Sequence, residues 1–362
     1  MKKFLYSLLI LTIVLSISIG LVGCIKGESD IYSKGGTQET AAAETKETTP
    51  ETTATETSAA ETKASKTEGP WKIGYSMSGT NVPYFKVMVK AVQDKGTELG
   101  MEMLLRDGEW DAAKQANQIE DLMVQGVNGF LINAADSEAI VPVLKKVKSA
   151  GYPIVIINSM IANEGFKYID AFTGPDEREE GRVMADEVAK GFADKGLESG
   201  GVLMITGVPG FSAAIFRDVG FRERLAELNP NIKVLNAQPG NWLKDDARVA
   251  MEDMLVAYEG QFQAVYAHDD TMAVGAWLAL EAAGYKKGEI MIFGIGGSSE
   301  GLKAIKDGIM ISTCDQSPQV DGEKGSEILN DVLTGKEINV MNFLALPIIN
   351  IANVDQYLPG VW

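Results

Sequence analysis

Two adjacent carboxylates and the only histidine of the chain lie together in the segment Ala267–Ala276. The apolar residues Ala264–Tyr266 precede this segment and predict the end of a buried strand, and a helix is predicted to follow. Two carboxylates at such a junction could form an acid–base pair, half of a metal site or an acceptor for a ligand, because open α/β sheets bind ligands at this edge. We expect Asp270 to cap the helix and Asp269 to face a crevice.

The scarcity of histidine argues against an enzyme. His268 is the single histidine, so most routes to general-base catalysis and to zinc binding are absent. We expect His268 to be a strand-end residue satisfied by hydrogen bonds. The net charge of −17 argues against nucleic acid as a partner and against electrostatic adhesion to anionic lipid. We therefore expect no metal and no cofactor. We also expect the protein to be a monomer.

The first 23 residues have the layout of a bacterial secretory signal. A basic start, Met1–Lys3, precedes an apolar run from Phe4 to Ile19, and small residues lead to Cys24 in a pattern that resembles a lipobox. The resemblance implies cleavage before Cys24 and lipidation of its sulfur, which would anchor the chain to the outer face of the bacterial cell membrane. An uncleaved transmembrane anchor is the alternative reading. Either one places the rest of the chain outside the cytoplasm.

The next segment, residues 24–69, is rich in Thr, Glu and Ala and has no apolar periodicity. It cannot bury enough apolar surface to offset the entropy of ordering, so we expect a disordered tether. Cys314 is the only other cysteine, which excludes a disulfide framework. We expect its side chain to pack as a small buried hydrophobe.

Alternating strands and helices begin at Trp71 and must position the carboxylate segment. The strands are continuous Val, Ile and Leu runs, as a parallel sheet covered on both faces requires. The pattern starts again at Gly201, and about 290 residues exceed one usual core, so two similar α/β domains are expected. Strands are predicted over 71–78, 101–105, 129–132, 153–157, 201–205, 232–235, 264–266, 290–293 and 310–314, helices over 83–99, 112–124, 137–149, 213–228, 245–258, 300–306 and 320–333, and extended structure over 343–351.

Several motifs along residues 71–350 resemble the type I periplasmic binding proteins, in particular the ribose/galactose-binding branch that serves ABC importers. They stand after the first strand, in the third strand–helix unit, before the fourth strand, on a later helix and in the carboxylate segment. The motifs are Asn81-Val82-Pro83-Tyr84-Phe85, Leu131-Ile132-Asn133 with Asp136-Ser137, Gly151-Tyr152-Pro153, Arg217-Asp218-Val219-Gly220-Phe221, and Ala267 to Ala276.

The resemblance implies two doubly wound α/β domains joined by a three-segment hinge. The implied limits are 70–172 plus about 317–344 for one domain, and 173–316 plus about 345–362 for the other. The chain would cross between them near 172–174, near 316–318 and after about Leu344. Closure of the hinge on a sugar would be detected by an ABC permease, without any chemistry by the protein itself.

A sugar ring needs aromatic planes against its C–H faces and charged or amide groups around its hydroxyls. The resemblance places the aromatic contacts at Tyr84, Phe85 and Trp242, the polar contacts at Asn158, Arg217, Asp269 and Gln316, and Ser78 and Asn81 close to the same crevice.

Three departures from the family pattern bear on the ligand. Asn158-Ser159 replaces the Asp-Arg of the ribose type, and Trp242 also fits the galactose type, so an aldohexose such as glucose or galactose is favoured over a pentose. Asp269 stands where the family has Asn. Ile295-Gly296 stands where most of its sugar sites have a carboxylate, which Asp269 would partly replace.

Other readings of the sequence stay open. Gly294-Ile295-Gly296-Gly297-Ser298-Ser299 resembles part of a dinucleotide-binding fingerprint, although its third glycine is missing. The protein could also serve chemotaxis or kinase sensing, or bind a nucleoside, a furanosyl signal or an oligosaccharide, because one fold hosts many functions.

Overall fold

The computed structural model describes residues 70–362. The predictions for the signal peptide, for lipidation at Cys24 and for the tether over 24–69 lie outside the described residues. Within the described part, two six-stranded sheets carry helices on both faces.

The first sheet and its helices take up most of the first half of the described chain. Its strands lie in the order β2-β1-β3-β4-β5-β11, with every pair parallel. The elements are β1 (Trp71–Met77), α1 (Pro83–Glu98), β2 (Met101–Asp107), α2 (Ala112–Val124), β3 (Gly129–Ile132), α3 (Val141–Ser149), β4 (Ile154–Ile157), β5 (Ala171–Gly174), α9 (Pro318–Leu333) and β11 (Met341–Phe343), with a short 3-10 helix over Asn163–Tyr168.

The second sheet repeats this arrangement. Its order is β7-β6-β8-β9-β10-β12, and only the edge strand β12 is antiparallel to its neighbour. The elements are α4 (Glu177–Asp194), β6 (Gly200–Thr206), α5 (Ser212–Leu228), β7 (Ile232–Pro239), α6 (Lys244–Tyr258), β8 (Ala264–Ala267), α7 (Asp270–Ala282), β9 (Met291–Gly296), α8 (Ser299–Lys306), β10 (Ser312–Asp315) and β12 (Ile348–Asn350), with a 3-10 helix over Val354–Gln356.

The chain passes between the two sheets three times, from β5 to α4, from β10 to α9 and from β11 to β12. Each sheet reverses its strand order beside its first strand, β1 or β6, which is the topological switch point of a doubly wound sheet. The predicted fold class of two doubly wound α/β units is confirmed.

Two helices differ from the sequence prediction. Helix α3 begins at Val141 rather than at Ser137: Asp136 accepts hydrogen bonds from the amides of Glu138 and Ala139 as a helix cap would, but residues 137–140 form a turn instead of regular helix. Helix α4 was not predicted. Its first turn is acidic, but Met184, Val188 and Phe192 are buried at helical spacing, and glycines also bring its backbone close to that of α5.

Buried aliphatic and aromatic side chains fill the layers between sheets and helices. Cys314 is fully buried on β10, which confirms its predicted packing role. None of the helices in residues 70–362 has the length and apolar character that a bilayer-spanning helix needs.

Candidate ligand-binding site

A cavity lies between the two sheets, at the carboxyl ends of their strands. Side chains from both halves of the molecule line it. Seven predicted contact residues are among them: Tyr84, Phe85, Asn158, Arg217, Trp242, Asp269 and Gln316. Their contact with a ligand stays a prediction, but the fold does bring them together.

The two remaining predicted residues do not line this cavity. Ser78 is fully buried, and its hydroxyl donates to Asn133 Oδ1 at 2.5 Å. This hydrogen bond connects the end of β1 to the end of β3. Asn81 is exposed and accepts a hydrogen bond from Trp110 Nε1 at 2.8 Å, beside a second, outer cavity. Both follow β1, but neither lines the inner cavity.

Helix α1 presents the aromatic pair of the first half. Pro83 is its first residue, a position that suits the fixed φ of proline, so Tyr84 and Phe85 enter the cavity from the first turn. Phe85 is buried, and its ring centroid lies 6.2 Å from that of Phe211 in the second half. This aromatic contact therefore spans the cleft.

A carboxylate that the sequence analysis did not single out underlies the same region. Asp321 on α9 accepts hydrogen bonds from Asn158 Nδ2 at 2.8 Å and from the Tyr84 hydroxyl at 3.0 Å. Burial raises the pKa of Asp321 to about 7, although these two donors lower it. Asn158 Oδ1 also accepts from Asn133 Nδ2, so most of the Asn158 amide is already engaged within the protein.

Arg217 is the central charge of the second half. It is 4% exposed, and its guanidinium donates to Glu180 Oε2 at 2.7 Å, to the His268 carbonyl oxygen at 2.5 Å and to Gln316 Oε1 at 2.8 Å. Burial alone would lower the pKa of Arg217, but Glu180 raises it, and the net shift is upward. Arg217 is therefore a fixed cation, and its bond orients Gln316 with the side-chain amide nitrogen free to donate.

The roles predicted for the carboxylate pair need correction. Asp269, not Asp270, caps α7, because its Oδ1 accepts from the Met272 amide at 2.6 Å. Asp270 is buried and accepts from the Ser298 amide at 2.8 Å and from the Thr313 hydroxyl at 2.6 Å. Asp269 nevertheless lines the cavity. Burial raises the pKa of Asp269 to about 7 and that of Asp270 to about 6.

The side chain of His268 is fully buried beside Tyr266, and neither ring nitrogen has a hydrogen-bond partner among the described residues. The prediction that hydrogen bonds satisfy it was wrong. Burial, reinforced by Arg217, lowers its pKa well below the usual value. His268 is a neutral packing residue that offers Arg217 only its carbonyl oxygen.

Trp242 follows β7 in a tight turn. Its φ of 62° lies in the left-handed region, and the indole covers Gly207, where any added side-chain atom would overlap the ring. The Arg217 guanidinium lies 5.7 Å from the ring centroid, within cation–π range. Trp242 Nε1 is buried without a hydrogen-bond partner among the described residues.

Sequence reasoning missed two aromatic residues of the cavity, Phe211 and Trp362. Phe211 immediately precedes α5, and only its position before the Arg217 helix could have suggested it. Trp362 reaches the cavity from the far end of the chain, and its ring centroid lies 5.3 Å from that of Tyr84. No sequence pattern near Trp362 indicated this.

The glycine-containing loop after β9 is not a phosphate site. The carboxylate of Asp270 accepts from the Ser298 amide at the start of α8, which is where an anion would need that donor. An added side-chain atom at Gly301 would overlap the same carboxylate. Residues 70–362 also contain no group of three or more His, Cys, Asp or Glu that could hold a metal ion.

Comparison with known proteins assigns the family. Residues 73–337 match the family described as periplasmic binding protein domain. This chain belongs to the periplasmic binding protein family. The ribose import binding protein of Bacillus subtilis is 32% identical to this periplasmic binding protein over 267 residues, which cover 74% of this chain and 83% of that protein.

Solved structures of periplasmic binding proteins have the same fold. An ABC transporter solute binding protein from Bacillus halodurans with bound myo-inositol is 25% identical, with a TM-score of 0.74 and coverage of 81% of this chain and 99% of that one. The arabinose-binding component from Shewanella, bound to arabinofuranose, is 26% identical, with a TM-score of 0.72 and coverage of 79% and 93%. These relatives bind solutes, and the prediction that the chain is not an enzyme is confirmed.

Proposed function

We propose that this periplasmic binding protein captures a monosaccharide between its two domains, outside the cytoplasm, and delivers it to the permease of an ABC importer. The observation that carries the proposal is the lining of the cavity. Aromatic rings from both halves face the same space as a fixed guanidinium, a carboxylate and two amides. Aromatic faces cover the C–H surface of a sugar, and charged groups make its stronger hydrogen bonds, about 1.5–3 kcal/mol each.

The proposed mechanism is closure about the three segments that connect the sheets. The domain limits given by the sequence analysis place these segments near residues 174, 316 and 344. In the described structure the halves touch across the cleft through Phe85 and Phe211, and the Ser137 amide donates to the Gly210 carbonyl oxygen at 3.3 Å. Such contacts support a closed form that a ligand would stabilise and that a permease would recognise.

The ligand preference is proposed from the site residues. Trp242 supports an aldohexose, whereas the relatives named above bind or import ribose, arabinofuranose and myo-inositol. Asn158, the other residue that favoured a hexose, has most of its amide engaged by Asn133 and Asp321. The preference for a hexose over a pentose therefore depends chiefly on Trp242.

Isothermal titration of a soluble protein comprising residues 69–362 tests the proposal. A panel of pentoses, hexoses, polyols and nucleosides should contain one clear binder, and silence across all carbohydrates would refute a sugar-binding function. Trp242→Ala should weaken that binder by at least 2 kcal/mol, as loss of a buried aromatic anchor does. Trp71→Ala is the matched control, because Trp71 begins β1 at the end remote from the cavity.

The membrane anchor is proposed from the sequence of the first 24 residues. Cells grown with labelled palmitate should incorporate the label into the protein, and Cys24→Ala should abolish that incorporation while Cys314→Ala leaves it unchanged. Labelling that persists in the Cys24 variant would place the lipid elsewhere.

A further inference from the structure

Trp362 closes one side of the cavity in a way that leaves no hydrogen-bonding group there. Gly296 ends β9 with a φ of 138°, and a side-chain atom built on it would lie 2.6 Å from the Trp362 ring. The indole therefore occupies the space that a side chain at position 296 would need. Ile295, the neighbouring cavity residue, is apolar as well.

The polar atoms of this surface bond to one another. The Gly296 carbonyl oxygen accepts from Trp362 Nε1 at 3.2 Å and from the Gln316 amide at 3.2 Å. A carbonyl oxygen has two lone pairs and an indole has a single donor, so both groups are fully used. The surface formed by Ile295, Gly296 and Trp362, named here the Trp362 wall, offers a ligand only apolar contact.

Protein contacts on both sides of the cleft hold this wall in place. The Trp362 carbonyl oxygen accepts from the Ser299 amide at 2.6 Å in the second half, and the Trp362 ring meets Tyr84 of the first half edge-on. Trp362 also borders the outer cavity, which Asn81 and Lys244 line. Trp362 thus lines both cavities, as do Pro83 and Trp242.

We propose that Trp362 is a specificity-determining residue that selects a ligand with an apolar edge, a CH₂ or CH₃ group where a fully hydroxylated sugar carries a hydroxyl. The inference rests on the proposed sugar-binding function and narrows its substrate class to deoxy sugars. A hydroxyl aimed at the Trp362 wall would lose its bond to water and gain no partner, which disfavours the parent sugar.

The experiment compares sugars that differ by one hydroxyl: D-galactose with D-fucose, L-mannose with L-rhamnose, and D-ribose with 2-deoxy-D-ribose. Titration of the purified full-length protein should show, in at least one pair, the deoxy sugar binding about 100-fold more tightly than its parent, which is the discrimination an apolar pocket achieves against an added hydroxyl. Equal affinities in every pair that binds would overturn the proposal.

Variants connect the discrimination to the indole. Trp362→Ala should weaken the preferred deoxy sugar at least 30-fold and bring the affinity ratio of the pair close to one. Trp362→Phe keeps an apolar ring and should retain most of the discrimination. This result, together with an unchanged melting temperature, would show that the effect of Trp362→Ala is not caused by misfolding. Trp71→Ala should leave the ratio unchanged. Sugar binding with an unaltered ratio in the Trp362→Ala variant would refute the inference alone, whereas absence of any carbohydrate binding in the unmodified protein would refute the proposed function as well.

Discussion

Three carboxyl groups lie at or near the cleft: Asp269 lines the cavity, and Asp270 and Asp321 are buried without lining it. Asp269, Asp270 and Asp321 have raised pKa values because burial disfavours their charged forms more than the local donors stabilise them. Such groups bind protons more tightly in the folded protein than in the unfolded chain. They therefore couple the stability of the fold to pH near neutrality.

Asp321 gives this coupling a testable form. The pKa of Asp321 is about 7 in the folded protein, against an ordinary value of 3.8. The titratable groups that interact electrostatically with Asp321 are Tyr84, Tyr75 and Glu180. The stability it contributes is fully present below about pH 4 and is lost as the pH rises through 7. The free energy of unfolding should fall by up to about 1.4 kcal/mol per pH unit over this range.

Asp321→Asn should flatten that dependence, because the amide keeps an acceptor oxygen for its neighbours and does not titrate. Urea unfolding at several pH values between 4 and 8 measures how the free energy of unfolding depends on pH. Some slope should remain, since Asp269 and Asp270 act in the same direction. Asp94→Asn on the exposed face of α1 is the control and should follow the unmodified protein. Identical slopes for both variants would contradict the assignment.

Two tryptophans occupy equivalent places in the two halves. Trp110 follows β2 and Trp242 follows β7, each with a φ of 62°, and each indole covers a glycine after the first strand of its sheet, Gly79 or Gly207. The two sheets therefore share the turn that follows β2 and β7 as well as their strand order. Only Trp242 lines the cavity, whereas Trp110 packs at its margin against Phe211.

The α4–α5 pair positions Arg217 through close backbone contact. A side-chain atom on Gly181 would overlap the Arg217 carbonyl oxygen, and one on Gly220 would overlap that of Arg178. These glycines let the helices approach closely enough for Glu180 on α4 to reach the guanidinium. The acidic helix that periodicity did not predict is therefore the element that fixes the central cation.

Gly220→Ala should lower the free energy of unfolding by about 2 kcal/mol, because the added methyl group meets backbone that cannot move independently. Gly96→Ala in α1 is the matched control, since its methyl group would meet only the flexible Met103 side chain. There the better helix propensity of alanine should stabilise the protein by up to about 1 kcal/mol. Urea unfolding of both variants distinguishes them, and equal effects would argue against a backbone clash.

The whole molecule closes through aromatic contacts at the margin of the cleft. The centroid of the Trp110 ring lies 5.4 Å from that of Phe211 across the cleft and 5.9 Å from that of Phe85 on its own side. Trp110 Nε1 donates a hydrogen bond to Asn81 Oδ1. Trp110 does not line the cavity. It should therefore affect the equilibrium between open and closed forms without contacting the ligand.

Trp110→Ala should weaken ligand binding about 5- to 10-fold, the equivalent of one aromatic pair, through a smaller closed population. Small-angle X-ray scattering should show a larger radius of gyration without ligand and a normal value at saturation. Trp71→Ala should change neither quantity. An unaltered affinity and radius in the Trp110 variant would mean that this contact does not contribute to closure.

Much of this protein could be predicted from its sequence, because continuous apolar runs and helical periodicity depend on neighbours along the chain. They indicated the alternation of strands and helices and the repeated α/β unit. The resemblance of the motifs to the periplasmic binding proteins, not periodicity, indicated the seven residues that the fold brings to one cavity. The start of α3 and the whole of α4 escaped prediction, although Met184, Val188 and Phe192 of α4 are buried at helical spacing behind an acidic first turn.

Contacts between distant segments decided the rest. Which of Asp269 and Asp270 caps α7 depends on Ser298 and Thr313, which take Asp270 into the core. The position of Trp362 beside Tyr84 joins residues 278 positions apart, the difference between 362 and 84. No local pattern encodes such a meeting, because burial and hydrogen bonding across the cleft exist only after both sheets have formed.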